Sequence, residues 1–319
     1  MLAKILKSDK RVFTCSLLEE KGSPTVQATA LGKLLKGDND LVVGDFVELK
    51  LENDEYIITK MRDRKNEIFR LLVRERKKKI IASNCDAMVV VLSVSKPSYK
   101  QGLLDRYLVR AFQWEVLPLI VFNKMDEHDP ADVDILEEQK RLASMEIDCF
   151  EVSAHNEDYK PQYLEKGLSE LKSEIDGKTV ILLGHSGVGK SRLANCLTGE
   201  VLNLKSSKIS DKSGKGAHTT TWAEIARFEN LEIIDSPGVR SYSLEDVDPE
   251  DLIEFFPDIF EIARGCKFRN CEHLPTSKGC AFKPYYDKKD EFGSILSRLD
   301  SFHRIKDEIS ATPQWKKSF

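Results

Sequence analysis

The chain has 319 residues, 41% of them hydrophobic and 32% charged, with a formal net charge of −4. That length holds about two to three domains, and the balance excludes a wholly disordered chain, a collagen-like one and a coiled coil. Because the whole is mildly acidic, any affinity for RNA or DNA must come from local basic patches.

The longest apolar run, near Ala87–Val94, is far short of the ~20 residues that span a bilayer. The N-terminus carries no apolar stretch long enough for a signal peptide. Of seven cysteines, Cys15, Cys85, Cys149 and Cys196 are isolated and three crowd between 266 and 280. That usage suits reduced thiols plus one metal cluster better than a disulfide framework. A cytoplasmic protein with no membrane attachment is the expectation.

To about Ile68 the chain reads as short strands, at Val12–Cys15, Thr25–Thr29, Asp45–Leu49 and Glu55–Thr59, separated by Gly/Asp/Asn turns. Such spacing suggests a small barrel. The OB-fold is one such design, and an SH3-like barrel fits the pattern nearly as well. Lys60–Lys79 then holds ten basic residues against three acidic ones. The run reads equally as a solvated linker or as a contact for RNA phosphates.

From about Ile80 the period changes. Buried-strand runs at Met88–Leu92, Leu117–Phe122, Thr179–Leu183 and Leu231–Ile234 alternate with helical patterns at Leu103–Phe112, Asp132–Ser144 and Tyr163–Ile175. A parallel sheet covered on both faces follows. Beyond about Pro249 the chain turns helical, then Cys/His-rich, and ends in a charged helix near Phe292–Ile309.

Gly184-His185-Ser186-Gly187-Val188-Gly189-Lys190-Ser191 fits G-x-x-x-x-G-K-[ST], after a strand and before a helix starting near Arg192. Its glycines let backbone N–H groups close on phosphate oxygens; Lys190 reaches the β/γ-phosphates and Ser191 ligates Mg²⁺. Asp235-Ser236-Pro237-Gly238 follows another strand. Asp235 there is placed to hold Mg²⁺, and the Gly238 amide to approach the γ-phosphate.

Asn123-Lys124-Met125-Asp126 also ends a strand. Guanine presents N1–H and an amino group side by side, and one carboxylate accepts both. Asp126 is thus the guanine selector, Asn123 steadies the site and the Lys124 stem lies along the base. After the strand Asp148–Val152, a backbone amide of Ser153-Ala154 can meet guanine O6. In Ras-like GTPases the phosphate loop comes first; here N-K-x-D and S-A precede it. The strand contexts agree throughout, so the reading is a circularly permuted G domain, a rearrangement that nearby surface termini permit.

Cys266-x4-Cys271-x-His273-x6-Cys280 offers three thiolates and one imidazole. Such a set closes a tetrahedral structural zinc site and leaves no open position for catalysis.

The permuted order, Lys215-Gly216-Ala217-His218-Thr219-Thr220-Thr221 and Asp105-Arg106-Tyr107-Leu108-Val109 together resemble the RsgA (YjeQ/YloQ) family over essentially the whole chain. The resemblance implies an OB-like β-barrel at 1–70, a permuted α/β P-loop GTPase domain at 71–245 and an α-helical zinc-binding domain at 246–319. It implies GTP hydrolysis stimulated by the small ribosomal subunit, a role in that particle's late maturation, and contact with its rRNA. A monomer is expected. His218 resembles the family's proposed water-orienting histidine, and the family pattern favours Thr220 as the switch threonine on Mg²⁺ and the γ-phosphate.

Val239 stands where Ras-like enzymes carry a glutamine, so slow intrinsic turnover is expected. Two departures from the family are Ser236 for its usual Thr and Ala217 for its usual Arg. A shift of Gly238 is expected to reach the C-terminal domain through the short tether Val239–Pro249. The competing readings are a P-loop kinase or ATPase, which leaves Asp126 unexplained, and an RNA-binding adaptor with a degenerate G domain.

Overall fold

The computed structural model describes residues 1–9, 11–34, 41–72, 77–199, 223–235 and 243–311. Strands β1 (Leu2–Asp9), β2 (Val12–Leu17), β3 (Thr25–Ala30), β4 (Phe46–Glu52) and β5 (Glu55–Met61) pair in the ring β1-β2-β3-β5-β4-β1, with β3 and β5 parallel. Alternate residues such as Ile5, Phe13, Cys15, Val47 and Ile58 fill the interior. That ring order, closed by one parallel pair, is the OB design and not the SH3-like one. The sequence pattern missed β1 because Lys4 interrupts its apolar run, yet Lys4 is buried.

The basic stretch is not a linker. After β5 it forms a hairpin of β6 (Glu67–Leu72) and β7 (Lys77–Ser83). Ile68 and Leu71 turn inward, and Phe69 meets Trp114 edge-on at 5.9 Å. The hairpin is tied to the barrel through buried Asp45, which accepts from Arg64 (2.7 and 2.9 Å) and from the Ser83 hydroxyl (2.7 Å). Gly44 is required there: φ is +91°, and a Cβ would lie 2.0 Å from the Ser83 carbonyl oxygen.

The second unit runs β8 (Ala87–Ser93), α1 (Gln101–Gln113), β9 (Leu117–Asn123), α2 (Ile135–Ala143), β10 (Asp148–Val152), α3 (Leu168–Ile175), β11 (Thr179–Leu183), α4 (Lys190–Leu197), β12 (Glu224–Phe228) and β13 (Leu231–Asp235). Spatial order is β10-β9-β8-β11-β13-β12, parallel except for β12. Every residue of β8 is buried. Met88 and Val90 face one core with Phe122 and Leu104; Val89 and Val91 face the other with Leu193 and Leu171. Two-sided burial of this kind explains the unbroken apolar runs.

Two helices start later than their periodicity predicts. Asp134 caps α2 by accepting from the Glu137 amide at 2.9 Å. Before α3, the buried Glu151 carboxylate captures the amides of Gln162, Tyr163 and Leu164, each at 2.8 Å, and keeps that stretch out of the helix. The barrel abuts the sheet through Lys7↔Glu224 pairing, and Lys4 Nζ meets Glu232 and Thr179 Oγ1, each at 2.6 Å.

The C-terminal unit has a helical turn at Asp251–Phe255, then α5 (Pro257–Ala263), α6 (Lys283–Asp287) and α7 (Gly293–Ala311). Phe256, Phe282, Phe302 and Ile305 form its core, joined by Val109 of α1. A buried ionic cluster locks it to the second unit. Arg298 of α7 bonds Asp258 (2.8 and 3.2 Å) and Asp105 of α1, which also accepts from Arg141 of α2 at 2.8 Å. Arg298→Met keeps most of the bulk stacked on Phe256 but takes from buried Asp258 its cation and leaves Asp105 to Arg141 alone. It is expected to destabilise the chain by about 3–5 kcal/mol in urea unfolding; a loss below about 1 kcal/mol would class the cluster with exposed ion pairs.

Candidate nucleotide site and metal centre

The chain moves outward from β8 to β9 to β10, returns through α3 to β11, and then moves the other way to β13. β8 and β11 therefore flank the switch point of the sheet, where ligands of open α/β sheets bind at the strands' carboxyl ends. Asn123, Ser153, Gly184 and Asp235 lie at the carboxyl ends of β9, β10, β11 and β13.

Between β11 and α4, Gly184, Gly187 and Gly189 hold φ of +153°, +83° and +97°. At two of them space forbids any side chain. A Cβ on Gly184 would lie 2.3 Å from the Val91 carbonyl oxygen, and one on Gly189 would lie 2.4 Å from Asn123 Nδ2. Lys190 opens α4, its ammonium donating to the carbonyls of Gly184 (2.7 Å) and His185 (2.9 Å). Ser186 and Gly187 are exposed; Ser191 is half-buried in the helix's first turn.

The guanine motif is bonded directly to this loop. Asn123 donates through Nδ2 to the Val188 carbonyl at 2.8 Å and accepts through Oδ1 from the Ala154 amide at 3.0 Å. The structure thus engages the Ala154 N–H with Asn123. Ser153 Oγ donates to Asp126 Oδ1 at 2.6 Å and orients that exposed carboxylate. Lys124 adopts a left-handed φ of +66°, and its ammonium reaches the Lys96 carbonyl. Sequence reasoning missed Arg192 and Cys196, which both donate to the Ala154 carbonyl, at 3.1 and 3.2 Å. Their i, i+4 spacing puts them on one face of α4, but nothing in it announces what they meet.

Asp235 ends β13 opposite Glu224. His218, Thr219, Thr220, Thr221 and Gly238 lie outside the described residues.

The Cys266, Cys271, His273 and Cys280 ligand atoms all lie within 4.8 Å of one another. The Ala281 amide donates to Cys266 Sγ (3.3 Å), and Tyr286 Oη donates to the His273 carbonyl (2.7 Å). Burial, with His303 and Lys306 nearby, pulls the His273 imidazole below its ordinary value and so favours the neutral, ligating form. The donor set fits a metal ion, and these four residues can hold one.

Residues 61–245, more than half of the chain, match the RsgA GTPase family. The chain belongs to that family. It is 33% identical to the small ribosomal subunit biogenesis GTPase RsgA of Christiangramia forsetii, across 95% of this chain and 91% of that one. The protein of the same name from Flavobacterium psychrophilum is 36% identical over 86% and 82%. The crystal structure of YloQ, described as a circularly permuted GTPase, superposes with a TM-score of 0.74 at 27% identity, covering 98% of this chain and 96% of that one. YjeQ from Thermotoga maritima, at 24% identity and a TM-score of 0.75, shares the fold. As an RsgA-family GTPase the protein uses a guanine nucleotide with Mg²⁺, and its guanine elements precede its phosphate loop. No helix among the described residues is long and apolar enough to cross a membrane.

Proposed function

We propose that the protein is a cytoplasmic, monomeric GTPase of late small-subunit maturation. In this reading it binds the particle and its rRNA in the GTP state and leaves after subunit-stimulated hydrolysis to GDP and phosphate. The observation that carries the reading is the Asn123 side chain, which joins the guanine motif to the phosphate loop across one crevice. The biogenesis role is taken from the names of relatives aligned over most of the chain.

Within this reading Asp126 selects guanine, held by Ser153, while Asn123 and Lys124 shape the base pocket beside Ala154. The backbone of Gly184, Ser186, Gly187, Val188 and Gly189 cradles the phosphates, and Lys190 trades its loop carbonyls for the β/γ-oxygens. Mg²⁺, when bound, neutralises charge on those oxygens; Ser191, Thr220 and Asp235 are its assigned ligands. Gly238 approaches the γ-phosphate, and His218 orients the attacking water by accepting its proton. The ion of the C-terminal cluster is zinc, held by Cys266, Cys271, His273 and Cys280 in a structural role. Residues 1–70 and 246–319 contact the particle and 71–245 works the nucleotide.

The test is GTP and ATP hydrolysis with and without purified small subunits. Turnover confined to GTP and raised by about tenfold or more by subunits is expected. GTP-specific turnover indifferent to subunits would discard the ribosomal partner.

A further inference from the structure

Arg192 and Cys196 share one face of α4 and close on a single acceptor. Arg192 donates through Nε to the Ala154 carbonyl at 3.1 Å, and the Cys196 thiol donates to the same oxygen at 3.2 Å. Cys196 is buried. Burial, with Glu157 beside it, pushes the thiol up to about 11, so at neutral pH it keeps the proton it donates. The N–H groups on either side of this carbonyl are already engaged. That of Ala154 goes to Asn123 Oδ1 at 3.0 Å, and that of Asn156 goes to the Ser153 hydroxyl and carbonyl, each at 3.2 Å. The His155 N–H between them has no protein partner among the described residues, and His155 is exposed.

The Ala154 carbonyl and the His155 N–H belong to one peptide group. It is trans, so the two point in opposite directions within a shared plane. The donors on α4 fix the carbonyl and thereby aim the N–H away from that helix. They also polarise the group, since a bond accepted at C=O strengthens donation at N–H. In the proposed site Asp126, held by Ser153, takes the N1–H and amino group of guanine. The neighbouring O6 is an acceptor and needs a donor. We infer that Arg192 and Cys196 are positioning residues for guanine: through the Ala154 carbonyl they aim the His155 N–H at O6. The Ala154 N–H, which the motif offers for this contact, is held by Asn123. The inference rests on Asp126 as the guanine selector, and it makes O6 recognition a property of the same helix that begins at the phosphate loop.

The test measures affinities for GDP, 6-thioguanosine diphosphate and inosine diphosphate in Arg192→Met, Cys196→Ala and the double variant. The thio analogue replaces only O6, by a weak sulfur acceptor; the inosine nucleotide lacks only the amino group that Asp126 binds. Wild type is expected to bind GDP about tenfold more tightly than the thio analogue, the worth of one hydrogen bond. In the double variant that preference is expected to shrink to within about twofold, through lost GDP affinity, while the preference for GDP over inosine diphosphate stays within about twofold of wild type. Each single variant is expected to lose about threefold of the preference, and reports even if the double variant is poorly folded. Cys196→Ser keeps a donor on the same carbonyl and is expected to keep the preference, which separates the hydrogen bond from the packing of a buried side chain. Parallel losses for GDP and the thio analogue, an unchanged preference in folded Arg192→Met and Cys196→Ala, or a lost preference in Cys196→Ser would each overturn the inference. A wild type that fails to prefer GDP over inosine diphosphate would instead strike Asp126 and the nucleotide reading beneath it.

Discussion

Asp126→Asn is expected to lower affinity for GTP and GDP by two to three orders of magnitude, roughly the cost of two charge-assisted hydrogen bonds, and to create affinity for xanthine nucleotides. The geometry sets the direction. Ser153 Oγ donates to Asp126 Oδ1 at 2.6 Å, so in the variant the amide oxygen takes that place and the NH₂ group turns toward the base. Guanine then offers two donors to a donor and is rejected. Xanthine, with an oxygen where guanine carries its amino group, offers an acceptor and is bound. Titration calorimetry with GDP, xanthosine diphosphate and ADP checks this. A variant that loses GDP without gaining xanthosine diphosphate would mean that Ser153 does not fix the carboxamide. Unchanged GDP binding would remove Asp126 from the site and leave the choice of guanine to other residues.

Much of this site was legible because its constraints are local. Each phosphate-loop glycine answers to its own backbone angle or to an atom pressed against it, and the N-K-x-D and S-A elements each end a run of buried apolar residues. The contacts that unite them are not local. Asn123 meets Val188 65 positions away, and Arg192 meets Ala154 38 positions away, pairings that only the sheet order creates. The fold follows the same division. Runs such as Met88–Leu92 announced themselves because both faces of the sheet are covered, whereas β1 and the β6–β7 hairpin were hidden by lysines. In β1 the lysine is buried against Glu232; in the hairpin, Lys78 lies over the Phe69 ring at 4.8 Å. Charge in a sequence window marks an exposed face by default, and a paired or ring-stacked lysine defeats that rule. The Asp105–Arg298 cluster was likewise unreadable: its partners are 193 positions apart.

Removing the metal, by a strong chelator or by Cys271→Ser, is expected to unfold the stretch between α5 and α6 while leaving α7 docked and nucleotide binding intact. Residues 264–281 contain no helix or strand and most of them are exposed or half-buried, so few backbone hydrogen bonds and little apolar burial hold them. A structural zinc site contributes about 10–16 kcal/mol in small zinc-binding peptides, more than any other interaction this stretch has to order it. His273 ties that stretch to the core, its ring packed edge-on against Phe282 at 5.3 Å, so losing the ion loosens Phe282 and α6 as well. Helix α7 is held differently, by Leu299, Phe302, Ile305 and Ile309 in the core and by Arg298 on Asp105 and Asp258, none of which needs the ion. Limited proteolysis after chelation should therefore cut first within 264–287, with one equivalent of zinc released per chain and GDP affinity unchanged within about twofold. Resistance to proteolysis after complete metal loss would show that the packing of Phe256, Phe282 and Phe302 suffices without the ion. Simultaneous loss of GDP binding would show that the C-terminal unit and the nucleotide crevice unfold as one cooperative body, with the Asp105–Arg298 cluster carrying the coupling between them.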